Sequence, residues 1–238
     1  MNRKDALKFY KLGRSLRQGS QESQYCFDLS IQSDNTFSYS YFEKSVPYNK
    51  RGDYSKGFAL LNKAVELNPK MHLGYRGWLR LMKFKDYLGC IRDLEELQNI
   101  SPKKMFAWGQ NINCLLAISY YSIGKSQLAS SKINIAIQQN SELATYYLYR
   151  AIIGLNLKNE SVIDDLLKCI DINNQFAEAY FYLGKFYIKT GHRIEAIFSL
   201  KKALELIDKG EKMKNPYNEV FKEIYKSDCR TLLRQLSK

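Results

Sequence analysis

Histidine is close to absent from this chain: His72 and His192 are the whole supply, far apart in sequence. Neither has cysteines or carboxylates at metal-ligand spacing, so no metal site is expected. Both rings are read as solvated, His72 at a helix start and His192 in a turn. Cysteine is sparse too. Cys26, Cys90, Cys114, Cys169 and Cys229 are odd in number and form no C-x-x-C, which reads as reduced thiols of a cytoplasmic protein rather than a disulfide framework. No apolar run approaches the roughly 18 residues of a membrane span, and no apolar core follows the charged start MNRKDALK, so neither a span nor a signal peptide is read. The patterns G-x-x-x-x-G-K-[ST], G-x-G-x-x-G and G-x-S-x-G do not occur. Paired acids do, as Glu95-Glu96 and Asp164-Asp165, but neighbours in a helix point about 100° apart and do not share one proton-transfer site. Without a catalytic constellation, the expectation is a protein with no enzymatic activity and no cofactor.

Positive charge and tyrosine are in excess. Lys and Arg number 37 against 24 Asp and Glu, a formal net charge of +13, and there are 18 tyrosines. That balance attracts anions without defining one.

The apolar residues follow a helical period. In residues 177–210, AEAYFYLGKFYIKTGHRIEAIFSLKKALELIDKG, Tyr180, Leu183, Gly184 and Tyr187 share one helix face, Gly191 breaks the helix, and Ala196, Leu200 and Ala203 form the stripe of a second. This resembles the tetratricopeptide repeat, whose signature is W-x2-L-G-x2-Y followed by A-x3-F, a small residue and a proline. Tyr180 replaces the Trp, Leu200 the Phe, and Asp208 stands where the proline would be. Cys90 and Cys169 fall where the repeat wants a small residue. The resemblance implies an all-α fold, a right-handed α-α superhelical solenoid of about six hairpins plus a C-terminal capping helix.

Residues 1–37 are expected to form a degenerate first repeat or N-terminal cap, with amphipathic stretches before and after Gly19. The repeat array is expected over 38–210, as hairpins 38–71, 71–104, 110–143, 143–176 and 177–210. In the first of these, KRGDYSKGFALLNKAVELNPK is close to the family pattern, while Pro47 predicts a late helix start or a bend. In the next, the turn Lys85-Asp86-Tyr87 has no glycine and Gly77 stands one residue too far from it, which predicts a local register change. Residues 105–109, with Phe106 and Trp108, read as a short insertion or an extension of the following helix. The 143–176 hairpin is expected to turn near Asn159. Residues 211–238 read as a linker and a capping helix that begins at Pro216, capped by Asn215, and runs to about residue 236.

The resemblance further implies a noncatalytic scaffold or adaptor that binds other proteins along a concave surface lined by the first helix of each hairpin. Candidate contacts there are Tyr39, Phe42, Tyr75, Tyr121, Tyr147 and Phe181, with Lys50, Lys83, Lys185 and Lys189 among them. Rings separated by cations suit a peptide or helix carrying apolar and acidic residues. The family's two-carboxylate clamp for chaperone tails is not matched: Leu12 follows Lys8 by one turn, and Phe42 and Val46 occupy the second-hairpin positions. The alternative reading is a basic nucleic-acid-binding helical-repeat protein, and self-association as a homodimer is compatible with either.

Overall fold

A computed structural model describes residues 2–157 and 161–237; the turn expected near Asn159 lies outside them. Helix α1 (Arg3–Ser15) begins at Asn2, whose side chain accepts from the Asp5 N–H, and α2 (Gln21–Ser33) begins in the same way at Ser20. The two pack through Ala6, Gly13, Cys26 and Phe27. Ser30 Oγ of α2 donates to the Ala6 carbonyl at 2.7 Å. The pair α3 (Ser38–Arg51) and α4 (Tyr54–Leu67) follows, turned by Gly52 at φ 85 and capped by Asp53. Helix α3 starts nine residues ahead of Pro47 and encloses its buried ring, so the late start does not occur. Val46 of α3 and Leu61 of α4 meet Tyr75 and Leu79 of α5 (Pro69–Leu79) in a common core.

The register change after α5 has a definite form. Residues Arg80–Phe84 are π-helical, Lys85 takes φ 53, and α6 (Tyr87–Ile100) follows. Gly184 stands seven residues before the turn glycine Gly191, whereas Gly77 stands eight before Lys85. An i→i+5 turn accommodates that surplus residue without unwinding the helix.

Contacts gather the described residues into two compact units, 2–80 with 92–108 and 81–91 with 109–237. The second contains α7 (Ile112–Ser122), α8 (Ser126–Gln139), α9 (Ala144–Leu157), α10 (Val162–Ile172), α11 (Ala177–Thr190) and α12 (Arg193–Asp208), packed as consecutive hairpins. At Gly184 the helices touch backbone to side chain: an added Cβ would lie 2.7 Å from Leu200 Cγ and 3.3 Å from the Ala196 carbonyl. All five cysteines are buried and none is in a disulfide.

Sequence reading missed a recurrent polar device. Arg76 of α5 donates to Asn62 of α4 at 3.0 Å and, through Nε and Nη2, to the fully buried Asp93 of α6. Arg150 of α9 repeats this with Asn134 of α8 and the buried Asp165 of α10. Each arginine ties its own hairpin to the helix before it. Burial raises the Asp165 carboxyl and the Arg150 hydrogen bonds pull it back.

Of the two readings of residues 105–109 the structure takes the short insertion and not the extension of α7, because Phe106–Ala107 are extended and Trp108 has φ 49. Asn111 caps α7 by accepting from the Asn113 and Cys114 N–H groups, which fixes its start. The start expected for the last helix is corrected. The last helix, α13 (Lys226–Leu236), begins ten residues after Pro216. Asn215 Oδ1 accepts from the N–H groups of Tyr217 and Asn218 in a turn instead, and Lys222 takes φ 53. No helix among the described residues is long and apolar enough to cross a membrane.

Candidate interaction surfaces

In the first unit, aromatic rings converge on an open cavity of about 220 Å³. Tyr39 and Phe42 enter from α3, His72 and Tyr75 from α5, and Tyr10 from α1, while Trp108 closes one side. Phe42 stacks on His72 at 5.0 Å and 23° and meets Tyr75 edge-on at 5.3 Å. Tyr75 lies 4.5 Å from Trp108 between ring centroids. Helical spacing brings these together: Tyr39 and Phe42 are three apart in α3, as are His72 and Tyr75 in α5. The expectation of a solvated His72 is corrected. The ring is 2% exposed, with Nε2 3.1 Å from Ser38 Oγ, because it fills the gap between α3 and α5. Burial, with Lys104 adding, pushes its pKa down to about 4.

Trp108 is 48% exposed and Phe106 51%, and Met71 and Met105 are exposed nearby. Glu43 and Lys104 stand in the lining as the charged groups. Burial raises the Glu43 carboxyl, and burial lowers the Lys104 ammonium with Lys70 adding to the effect. Sequence reasoning treated Phe106 and Trp108 as insertion residues. The usable signal was that they fall outside the repeat, so hairpin packing does not account for them.

In the second unit a cavity of about 320 Å³ is lined by Tyr121, Asn156, Tyr182, Lys185, Lys189 and Lys222, with Ile152, Leu155 and Ile188 as its apolar part. Asn156 Nδ2 donates to the Tyr121 hydroxyl at 3.0 Å, and Lys189 Nζ donates to the Leu155 carbonyl at 2.6 Å. Burial and then the like charge of Lys222 lower the Lys185 ammonium. Among the described residues no acid lines this cavity.

Residues 211–225 run across the same face without helix or strand. The Met213 N–H donates to Oε1 of the buried Glu178 at 3.0 Å, and the Ala177 N–H donates to the Glu211 carbonyl. Farther along, Lys83 Nζ donates to the Tyr217 carbonyl at 2.5 Å and Lys85 pairs with Glu219 at 3.1 Å. Phe221 meets Tyr121 and Tyr149 edge-on, at 5.5 Å and 5.1 Å.

The ten residues singled out from sequence are thus dispersed. Tyr39, Phe42 and Tyr75 line the first cavity; Tyr121, Lys185 and Lys189 line the second; Lys83 holds the C-terminal segment. Lys50 instead donates to Gln18. Tyr147 lies against the Arg150 guanidinium at 5.6 Å, on the side of the Asp165 pair. Phe181 is buried against Tyr182.

A tetratricopeptide repeat model matches residues 177–209. No curated protein sequence matches the chain. Solved structures of similar fold include MamA from Desulfovibrio magneticus RS-1, 18% identical with a TM-score of 0.59 over 72% of this chain and 96% of that one. YrrB, described as a tetratricopeptide-repeat protein with an unusual peptide-binding site, is 15% identical with a TM-score of 0.62 over 76% and 91%. Pseudomonas aeruginosa pilF is 12% identical with a TM-score of 0.64 over 86% and 92%. Residues 177–209 thus match the tetratricopeptide repeat, and the chain shares the helical-repeat fold of tetratricopeptide-repeat proteins of known structure.

Proposed function

We propose that the chain is a noncatalytic scaffold or adaptor whose partner is a protein segment carrying both apolar and acidic residues. The observation that carries this is the first cavity, where Phe42 and the buried Tyr75 back an open surface on which Trp108 stands half exposed. Buried aromatic anchors are the groups that dominate protein interfaces. The second cavity, with Lys185, Lys189 and Lys222 in its lining, supplies the charge complement for carboxylates. A peptide ligand also agrees with YrrB, a protein of similar fold. Five buried cysteines outside any disulfide fit a reducing cytoplasm.

The test is capture of native-host protein on the immobilised chain, with nuclease present and over a salt series. A partner retained at about 0.5 M salt, where surface charge is largely screened, and lost with Trp108→Ala is the expected result. Trp108 is half exposed, so its removal leaves the hairpins intact. Equal capture by the variant would remove the first cavity from consideration. The net charge of +13 favours nucleic acid as the second reading. Its signature is material recovered at low salt and released steeply as salt rises, as counterion release requires.

A further inference from the structure

We infer that residues 214–222 are an intramolecular stand-in for a partner, and that the surface beneath them takes a turned segment with a carboxylate two residues ahead of an aromatic ring. This rests on the scaffold reading and adds a place, a ligand pattern and an occupant. The template is Glu219-Val220-Phe221. Glu219 meets Lys85, the Tyr217 carbonyl accepts from Lys83, and Phe221 enters between Tyr121 and Tyr149. The side chains beneath come from the first helices of successive hairpins: Tyr121 from α7, Tyr149 from α9 and Tyr182 from α11. One segment therefore reads three hairpins in turn, through main-chain carbonyls and the side chains of Glu219 and Phe221.

The stretch is built to leave while its ends stay. Glu178, fully buried, grips Met213 on one side. Ile224 and Cys229, both buried, hold the other side and α13. Between these anchors, Tyr217 is 80% exposed and the Lys85–Glu219 pair is open to water on both partners. Such exposed pairs contribute little. Lys222 holds a left-handed backbone conformation at φ 53 that a non-glycine residue adopts at a cost, and the Tyr182 hydroxyl holds its carbonyl at 3.3 Å. Release relaxes that residue and uncovers Tyr121 and Tyr149.

A tethered occupant competes at an effective concentration in the millimolar range. A free peptide with a Kd of about 0.1 mM for the bare surface should then bind wild type roughly tenfold or more weakly than a chain whose own segment has let go. The experiment uses the full chain and a labelled synthetic peptide of residues 214–223, KNPYNEVFKE, followed by fluorescence anisotropy. Phe221→Ala loosens the segment at its ring, and Glu219→Lys loosens it at an exposed side chain without touching packing. Phe221→Ala should bind the peptide at least about tenfold more tightly than wild type, Glu219→Lys should bind it more tightly by a smaller factor, and the peptide with its Phe replaced by Ala should bind none of them. Equal affinity for wild type and both variants, or no binding to any, overturns the inference. Capture through Trp108 in the first unit is read separately, so its loss condemns the scaffold reading and its survival alongside a failed peptide condemns only this one.

Discussion

His72 is the residue with the clearest electrostatic consequence. An unfolded imidazole titrates near 6.5, whereas burial holds the folded one neutral down to about 4. Between those values the unfolded chain binds more protons, so the fold loses stability as pH falls from about 6.5 to about 4 and is indifferent to this group above that window. His72→Phe keeps a ring against Phe42 and removes the proton. Urea midpoints at pH 7, 5.5 and 4.5 should fall for wild type and stay nearly level for the variant; parallel slopes would refute the assignment. Asp34 acts in a lower window. Hydrogen bonds from Thr36 and then Arg3 hold its carboxyl at about 2, so the stability it gives is present above about 4 and is lost as pH drops towards 2.

At the scale of elements, the hairpins are held by close approach. Gly184→Ala places a methyl 2.7 Å from Leu200 Cγ, with the Ala196 carbonyl on the far side, so α11 and α12 must separate. Overpacking of this kind costs about 1–3 kcal/mol, and a lower thermal midpoint with unchanged helix content is expected. An unchanged midpoint would show that the contact yields freely. The glycine and alanine spacing that makes this contact was plain in the sequence, as was the surplus residue after Gly77. Less legible was whatever depended on a partner far along the chain. The ending at 211–225 has the composition of a helix start, with Asn215 before Pro216, yet Phe221 finds Tyr121 and Tyr149 and the backbone follows it. Phe181 carried no local mark to separate a buried ring from an exposed one. The Asn–Arg–Asp links were invisible because their spacing varies: Asn62, Arg76 and Asp93 in one, Asn134, Arg150 and Asp165 in the other.

For the whole molecule, the two units make a graded response to damage the natural expectation. Stability in helical arrays is a sum of repeat and neighbour contributions rather than one all-or-none quantity. Hydrogen exchange on Gly184→Ala should show protection falling first in residues 177–210 and spreading to neighbouring hairpins of the second unit, with α1 to α4 retaining theirs. A uniform loss over the whole chain would mean the units unfold together.

The π turn at Arg80–Phe84 has a consequence for what the chain can be tuned to recognise. One residue added to a helix rotates everything after it by about 100°. Lys83 and Lys85 sit at that rotated end, and their direction is what lets them reach Tyr217 and Glu219. Deletion of one residue here would turn Lys83 and Lys85 by about 100°, away from Tyr217 and Glu219, and would put the Gly77 contact with Leu94 out of register as well. The turn couples the direction of these two cations to the packing of its own hairpin.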